Sequence, residues 1–239
     1  MSRIEKRQDP FIWQLTDARM DHARLTGQPL AERAYWYFDT VTGVEYRDLY
    51  GCVGWPTEVS DKDMGMAGYL GIVAVVKDDK IKPEDSKFKM LAEFESYDIP
   101  SLLEQMVEMR QEFGFGLHPG LLQGWFGDPE RFIMSLALLN EKLTVNDPGK
   151  AILIIPPDNC SDADRYDQYV RQLSSVIVKG RKRLYFGGCD LLRSKIQQDF
   201  KRGNPAVFAV GGLVHSLLSR CTWMDQARET IFNVEDENA

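Results

Sequence analysis

The chain has few of the residues from which zinc sites and disulfide frameworks are built. Its 239 residues include only three histidines, His22, His118 and His215, none at metal-ligand spacing. The four cysteines lie far apart with no C-x-x-C pair. Zinc sites and disulfide-stabilised domains both depend on regular, dense ligand or cysteine spacing. The sequence therefore argues against both kinds of protein.

Long apolar runs and a nucleotide-binding loop are also missing. No stretch approaches the roughly 20 apolar residues that span a bilayer. The first residues, MSRIEKRQDPF, lack the apolar core of a signal peptide. No G-x-x-x-x-G-K-S/T motif is present, so the sequence predicts no ATPase motor. We expect a cytoplasmic protein with no membrane partner.

Positive charge is concentrated in one segment of a chain whose net charge is −7. Between Arg171 and Arg202 there are nine basic residues and two acidic ones. A segregated basic segment is expected of a protein that contacts phosphates, although short charge runs are also common on solvated turns. The segment is densest at KGRKR, so we predict phosphate contacts there. The candidate residues are Lys179, Arg181, Lys182 and Arg183.

Hydrophobic periodicity predicts three consecutive strands followed by alternating helices and strands. WYFDTVTGVEYRDLYGC is typical of a hairpin turning at Thr42-Gly43, and GYLGIVAVVKDD and KFKMLAEFES are two further strands. A helix opens at Asp98-Ile99-Pro100. Strand LLQGWFG, helix ERFIMSLALLNEKL, strand AILIIPP and a helix from about Ser161 follow. A short strand RLYFGG, a helix LLRSKIQQDF and a last helix from about Pro205 complete the order.

The pattern of predicted elements divides the chain into three parts. We predict a helical and hairpin extension over residues 1–46, a main domain over 47–222 and an acidic tail over 223–239. The first 30 or so residues are read as a polar helix. Gly211-Gly212 inside the last helix predict close backbone packing against the sheet, because glycine otherwise weakens a helix; a simple kink is the alternative.

The order of elements and several strings resemble a known family. GYLGIVAVVKDDK, KFKMLAEFESYDIPSLLEQMVEMRQEFG, WFGDPERF, AILIIPP and KGRKRLYFGGCDLLRSKI resemble the nuclease domain of phage terminase large subunits, over about Asp48 to Arg220. The most specific element is GDP-x-R-F. The resemblance implies an α/β fold, a ribonuclease H-like mixed sheet flanked by helices. The strand beginning near Arg47 would be central, with the strands ending at Asp128 and Pro156 parallel to it.

The resemblance also implies where the protein acts and with what. It indicates a phage or prophage protein that acts in the cytoplasm of a bacterial host, or in the virion, on double-stranded DNA during packaging. A separate packaging ATPase or the portal is the implied protein partner. Since the residues before Asp48 are too few for an ATPase domain, the chain would be either an excised domain or a stand-alone component.

Members of that family cut DNA with two divalent metal ions, Mg²⁺ or Mn²⁺. They hold the ions through an acid on the first strand, one at the end of the fourth and one or two at the start of the last helix. Asp128 matches the fourth-strand position and is the candidate catalytic residue and metal ligand. Gly54 or Trp55 stands at the first-strand position, and Asn204 and Phe208 stand where the last acids are expected.

Nearby acids are candidates to replace the missing ligands. Glu58 follows the first strand, Glu93 and Glu95 lie on the third, and Asp158 follows the two prolines of AILIIPP. Asp128 and all of these acids except Glu58 have a structural alternative. Asp128 before Pro-Glu suits a helix N-cap, the two strand glutamates suit a solvent-facing side of a strand, and Asp158 suits a turn.

Three functional hypotheses follow. Because one carboxylate cannot hold two metal ions against their hydration, we favour a DNA-packaging component with weak or no nuclease activity. The first alternative is an active two-metal DNA endonuclease with rearranged carboxylate ligands. The second is a protein-interaction module, in which the aromatics of AYWYF and Trp223 mark an interface, although such aromatics are more often ordinary core residues.

Overall fold

The computed structural model describes residues 4–8, 35–56, 66–77, 85–113, 125–145, 151–157, 165–177, 183–198 and 204–218. The strands are β1 (Ile4–Gln8), β2 (Tyr35–Asp39), β3 (Glu45–Gly54), β4 (Gly68–Val76), β5 (Phe88–Ser96), β6 (Trp125–Phe126), β7 (Ile154–Ile155) and β8 (Leu184–Tyr185). The helices are α1 (Ile99–Phe113), a 3-10 helix (Pro129–Phe132), α2 (Ile133–Thr144), α3 (Arg165–Ile177), α4 (Asp190–Gln198) and α5 (residues 205–218).

The strand β3 is the centre of a mixed sheet. It pairs antiparallel with β4, and β4 pairs antiparallel with β5. On its other side, the carboxyl end of β3 pairs parallel with β6, and β6 pairs parallel with β7. The resulting order, β5-β4-β3-β6-β7, is a ribonuclease H-like mixed sheet. It confirms the predicted fold class and the predicted parallel neighbours of the central strand.

Three further strands widen this sheet. The amino-terminal end of β3 pairs antiparallel with β2, β2 pairs antiparallel with β1, and β8 adds to β5 in parallel. The predicted β2–β3 hairpin is confirmed, and Gly43 adopts the positive φ of 69° that its turn requires. The helical prediction for the first residues is wrong for Ile4–Gln8, which is a strand. Residues 9–34 and the tail, 223–239, lie outside the described residues.

Helices cover the two faces of the sheet because side chains alternate along each strand. From β3, Tyr50 and Cys52 pack with buried residues of α3, α4 and α5. Leu49 and Val53 point the other way and pack with α1 and α2. Since β3 is buried on both faces from Leu49 onward, its second half, Leu49–Gly54, is a continuous run without charged residues rather than an alternating one.

The start of α1 is fixed by a side-chain cap. Asp98 Oδ2 accepts hydrogen bonds from the Ser101 backbone N–H at 2.9 Å and from the Ser101 hydroxyl at 2.6 Å. These bonds lower the pKa of the Asp98 carboxyl. The predicted apolar face of this helix is confirmed, since Leu102, Met106 and Met109 are all buried.

The paired glycines of α5 lie against another helix. A Cβ at Gly211 would come within 2.8 Å of the Tyr169 backbone oxygen on α3, and one at Gly212 within 2.9 Å of the Pro157 ring. The prediction of close backbone packing is confirmed, but the partner predicted for it was wrong. The glycines let α5 approach α3 and the residues after β7 rather than a sheet strand.

The helix α2 is attached to the edge of the sheet through Asn140. Its Nδ2 donates to the Ile152 carbonyl at 2.8 Å, and its Oδ1 accepts from the Ile152 N–H at 2.8 Å. Ile152 is buried and directly precedes the short approach to β7. One amide side chain thus satisfies both backbone groups of a residue just outside the strand ladder.

We expect Asn140→Ala to destabilise the protein by about 2 kcal/mol, because it leaves a buried N–H and a buried carbonyl without a partner. Urea denaturation measures the change in the free energy of unfolding. Lys142→Ala, an exposed change on the same helix, is the control and should stay within about 0.5 kcal/mol of wild type. Equal losses in the two variants would contradict the structural role of Asn140.

Candidate functional site

The carboxyl ends of β3 and β6 lie side by side. The parallel register pairs Cys52 with Phe126, so Gly54 and Asp128, each two residues further on, follow in the same direction. The crevice beyond the ends of such strands is where α/β proteins usually place their chemistry. These two positions are also those at which the resemblance to terminase nucleases implies metal ligands.

Asp128 forms the N-terminal cap of the 3-10 helix. Its Oδ1 accepts a hydrogen bond from the Glu130 N–H at 3.1 Å, and its Oδ2 lies 4.0 Å from Arg131 Nε. The cap interpretation of the sequence is confirmed. Both carboxylate oxygens therefore have a partner within the same turn, and the metal role of Asp128 stays a prediction.

Gly54 lies directly under the first turn of α5. A Cβ built on Gly54 would overlap the backbone carbonyl oxygen of Pro205. The overlap is with backbone, which cannot rotate away as a flexible side chain would. No acidic side chain at position 54 therefore fits unless α5 moves. Trp55, the other candidate for that position, packs on the opposite face over Gly68.

The expected acids of the last helix are replaced by a cap and a core residue. Asn204 is buried, and its Oδ1 accepts from the N–H groups of Ala206 at 3.0 Å and Val207 at 3.4 Å. Phe208 is buried against Tyr169, with ring centroids 5.2 Å apart. The start of α5 is thus built to close on the sheet, and neither residue offers a metal ligand to the crevice.

Glu93 is too far from Asp128 to share a metal ion with it. Glu93 pairs with Gly71, Gly71 with Cys52, and Cys52 with Phe126, so the four form one row across the sheet. Three strand spacings separate the ends of that row, a distance of about 14 Å. A pair of catalytic metal ions lies only about 4 Å apart. The structure therefore does not bring these two candidate ligands together.

The carboxylate of Glu93 instead holds the start of α4. Its Oε1 accepts from the Leu191 N–H at 2.6 Å, and its Oε2 accepts from the Leu192 N–H at 2.9 Å and from the Tyr69 hydroxyl at 3.1 Å. A helix N-terminus has unsatisfied N–H groups and partial positive charge, so a carboxylate is well suited to it. Neither the metal interpretation nor the solvent-facing strand interpretation of the sequence predicted this cap.

Glu95 has a related role two residues later. Its Oε1 lies 3.2 Å from Lys195 Nζ, which again joins β5 to α4. Glu95 pairs with Tyr69 and Tyr69 with Gly54, which places Glu95 two strand spacings, about 10 Å, from the end of β3. Both candidate glutamates of this strand are therefore used to attach one helix.

Buried groups near Glu93 are kept neutral by their surroundings. Burial raises the pKa of the Cys52 thiol, whose Sγ donates to the Gly71 carbonyl at 3.5 Å. Burial, followed by the charges of neighbouring groups that include Glu93, also raises the pKa of Tyr69. A thiol in this environment is not a nucleophile, because the reactive species is the thiolate.

The remaining candidates lie mostly outside the described residues. This applies to the predicted metal ligands Glu58 and Asp158 and to the basic residues Lys179, Arg181 and Lys182. Arg183 is described and directly precedes β8. Its N–H donates to the Val176 carbonyl at 2.9 Å, and its carbonyl accepts from the Phe88 N–H at 2.6 Å. The last residue of KGRKR is thus anchored to the edge of the sheet through its backbone.

The residues at the carboxyl ends of β3 and β6 and at the start of α5 do not fit a two-metal centre. A glycine under a helix, a capping aspartate and a capping asparagine stand at the three positions. Among the described residues, no group of three or more His, Cys, Asp or Glu could hold a metal ion together.

No helix in the described part of the chain is long and apolar enough to cross a membrane.

One signal in the sequence could have revealed the closed crevice. A glycine at the end of an otherwise apolar strand often marks the close approach of another backbone, and Gly54 is such a residue.

Comparison of the chain with protein-family models, with curated proteins and with solved structures found no match.

We expect Glu93→Gln to destabilise the protein by about 2 kcal/mol, because the amide loses the charge and one of the two acceptor oxygens that hold α4. Glu95→Gln removes a partly exposed ion pair on the same strand and should cost less than about 1 kcal/mol. Chemical denaturation of both variants measures the difference. A larger loss in Glu95→Gln would contradict the assignment of Glu93 as the main cap.

Proposed function

We propose that this chain is a ribonuclease H-like module of phage DNA packaging that binds double-stranded DNA and has lost two-metal cleavage. The observation that carries the loss of cleavage is the contact of Gly54 with the Pro205 backbone. Catalysis of this type needs acids from several elements around a shared pair of ions. Gly54, one of the two residues that match the first-strand position, is not an acid and leaves no room for an acidic side chain.

The other candidate acids that the structure describes give no second route to the same centre. Glu93 and Glu95 are engaged with α4 and lie two strand spacings from the end of β3 and three from the end of β6. Among the described candidate ligands, Asp128 would stand alone. This arrangement supports an inactive module over the alternative of an endonuclease with rearranged ligands.

The proposal of DNA as partner rests on charge and on the resemblance to terminase nucleases. The basic segment continues into the described helices, where Arg171 on α3 and Arg193 on α4 are exposed. Both helices pack on the same face of the sheet. Basic side chains on helices of one face suit a phosphate backbone, which is recognised through charge without base contacts. The proposed setting is the bacterial cytoplasm, with a packaging ATPase or portal as protein partner.

We expect no Mg²⁺- or Mn²⁺-dependent cleavage of duplex DNA above background. Incubation of plasmid DNA with the protein at millimolar Mn²⁺, with Asp128→Asn as the matched variant, measures it. Cleavage by the wild type that disappears in Asp128→Asn would show that replacement ligands exist and that the proposal is wrong. If neither protein cuts, Asp128→Ala should lose about 1 kcal/mol of stability, as expected for a helix cap.

We expect duplex DNA binding to weaken steeply with salt, because phosphate contacts release counterions. Replacing Lys179, Arg181, Lys182 and Arg183 together by Ala should flatten the plot of log affinity against log salt by up to about four units of slope. Fluorescence anisotropy with a short labelled duplex measures both quantities. A matched control changes exposed basic residues elsewhere, Arg7 and Lys142, to Ala. Unchanged binding in the quadruple variant would identify KGRKR as a solvated turn.

A second candidate function, protein interaction, is favoured by one specific observation. The helix α2 exposes three large apolar side chains, Ile133, Met134 and Leu138, that no described part of the chain covers. Such groups on otherwise polar surfaces mark interaction sites. This function is compatible with the first and uses a different part of the molecule.

A further inference from the structure

The strand β7 forms one edge of the sheet. Among the described strands it pairs with β6 alone, so its other side carries backbone groups that no described strand bonds. A strand edge of this kind is a place at which a second chain can add by hydrogen bonding. The number of backbone groups that the edge offers therefore decides whether another strand can pair with it.

The backbone groups of β7 alternate between the inner and the outer side of the edge. The carbonyls of Leu153 and Ile155 accept hydrogen bonds at 3.1 and 3.0 Å from N–H groups of β6 and of the residue after it. Residues 153 and 155 therefore face inward. Because successive residues of a strand direct their backbone groups to opposite sides, positions 152, 154 and 156 face outward.

Asn140 of α2 occupies the first outward position. Its side-chain amide donates to the Ile152 carbonyl and accepts from the Ile152 N–H, both at 2.8 Å. In an antiparallel sheet, a residue of the neighbouring strand makes the same exchange of one donor and one acceptor. The amide of Asn140 thus takes the place of the peptide groups that an added strand would supply.

A proline stands at the last outward position. Pro156 directly follows β7 and has no N–H to donate. It is exposed, so its ring faces solvent rather than the core. Proline at a strand edge is one of the means by which proteins prevent pairing between edges. Between these two residues, Ile154 is the one outward position of β7 that neither a side-chain bond nor a proline closes in the described part of the chain.

We propose that Asn140 and Pro156 keep the β7 edge from pairing with the β7 edge of a second copy of this chain. The one open residue offers a single N–H and a single carbonyl, whereas strand addition depends on a series of main-chain hydrogen bonds. Leu153, which is 65% exposed at the same edge, would otherwise favour such pairing. Identical edges can pair across a twofold axis, so every solution of the protein contains the excluded partner. This inference goes beyond the proposed function and does not depend on it.

The first test opens the two closed positions separately. Asn140→Ala removes the amide, and Pro156→Ala restores an N–H at an exposed site while Asn140 stays in place. We expect each variant to raise the self-association constant at least about tenfold over wild type, because each adds hydrogen bonds on both copies. Sedimentation velocity of the full chain over a series of concentrations measures it. The double variant should associate more strongly than either.

A self-association constant that stays at the wild-type value in either folded variant would overturn the proposal. Thermal melts establish that each variant is folded. Pro156→Ala keeps every contact of Asn140, so it tests the proposal even if Asn140→Ala is too unstable to fold.

The second test separates an open edge from a loss of stability. Glu93→Gln, for which we expect a similar destabilisation, lies on β5 away from this edge and should associate as the wild type does. Leu153→Lys places a charge at the edge, so adding it to Asn140→Ala should restore the wild-type association constant. Equal association in Glu93→Gln and Asn140→Ala would show that instability is the cause, and a double variant that still associates would show that β7 is not the contact. Either result contradicts the proposal.

Discussion

The contact between the first turn of α5 and the end of β3 decides what the crevice of this protein can do. The two backbones are in direct contact there, because Gly54 has no side chain and the Pro205 carbonyl occupies the space that a Cβ at position 54 would fill. The helix is held in that place by its own cap, Asn204, and by the glycines that bring it against α3. The buried residues on that face of the sheet pack around α5 in this position.

The polar side chains around the ends of the strands share one task. Asp98, Asp128, Asn204 and Glu93 each accept hydrogen bonds from the first backbone N–H groups of a helix. Three of them cap a helix that follows them directly, and Glu93 caps one that is distant in the sequence. Each such cap contributes about 1 kcal/mol of stability. Carboxylates in the part of the fold where a nuclease would hold metal ions thus contribute to stability instead.

The sequence was most informative where structure depends on local pattern. The hairpin follows from Thr42-Gly43 between β-branched and aromatic residues, and α1 follows from its cap and from apolar residues at three- and four-residue spacing. The strands β6 and β7 were predicted as parallel neighbours because strands and helices alternate there. For Ile4–Gln8 a polar composition without period was read as helix, although this segment pairs with β2.

Contacts between distant residues could not be predicted in the same way. Glu93 and Leu191 are separated by 98 positions, and only the position of α4 over β5 brings them together. The role of Asn140 depends in the same way on where the chain returns to form β7. A capping motif within four residues is visible in a sequence, whereas a cap donated by a neighbouring strand depends on packing that propensity does not describe.

The glycine at the end of β3 also bears on how this protein could evolve. A metal ligand introduced at position 54 by substitution would first force α5 off the sheet, and the loss of its packing would be selected against before any new activity appeared. A metal centre at this place would need a shift of the helix and at least one acid on it at the same time. Several coupled mutations would therefore be required, and single substitutions at the end of β3 are opposed by the packing of α5.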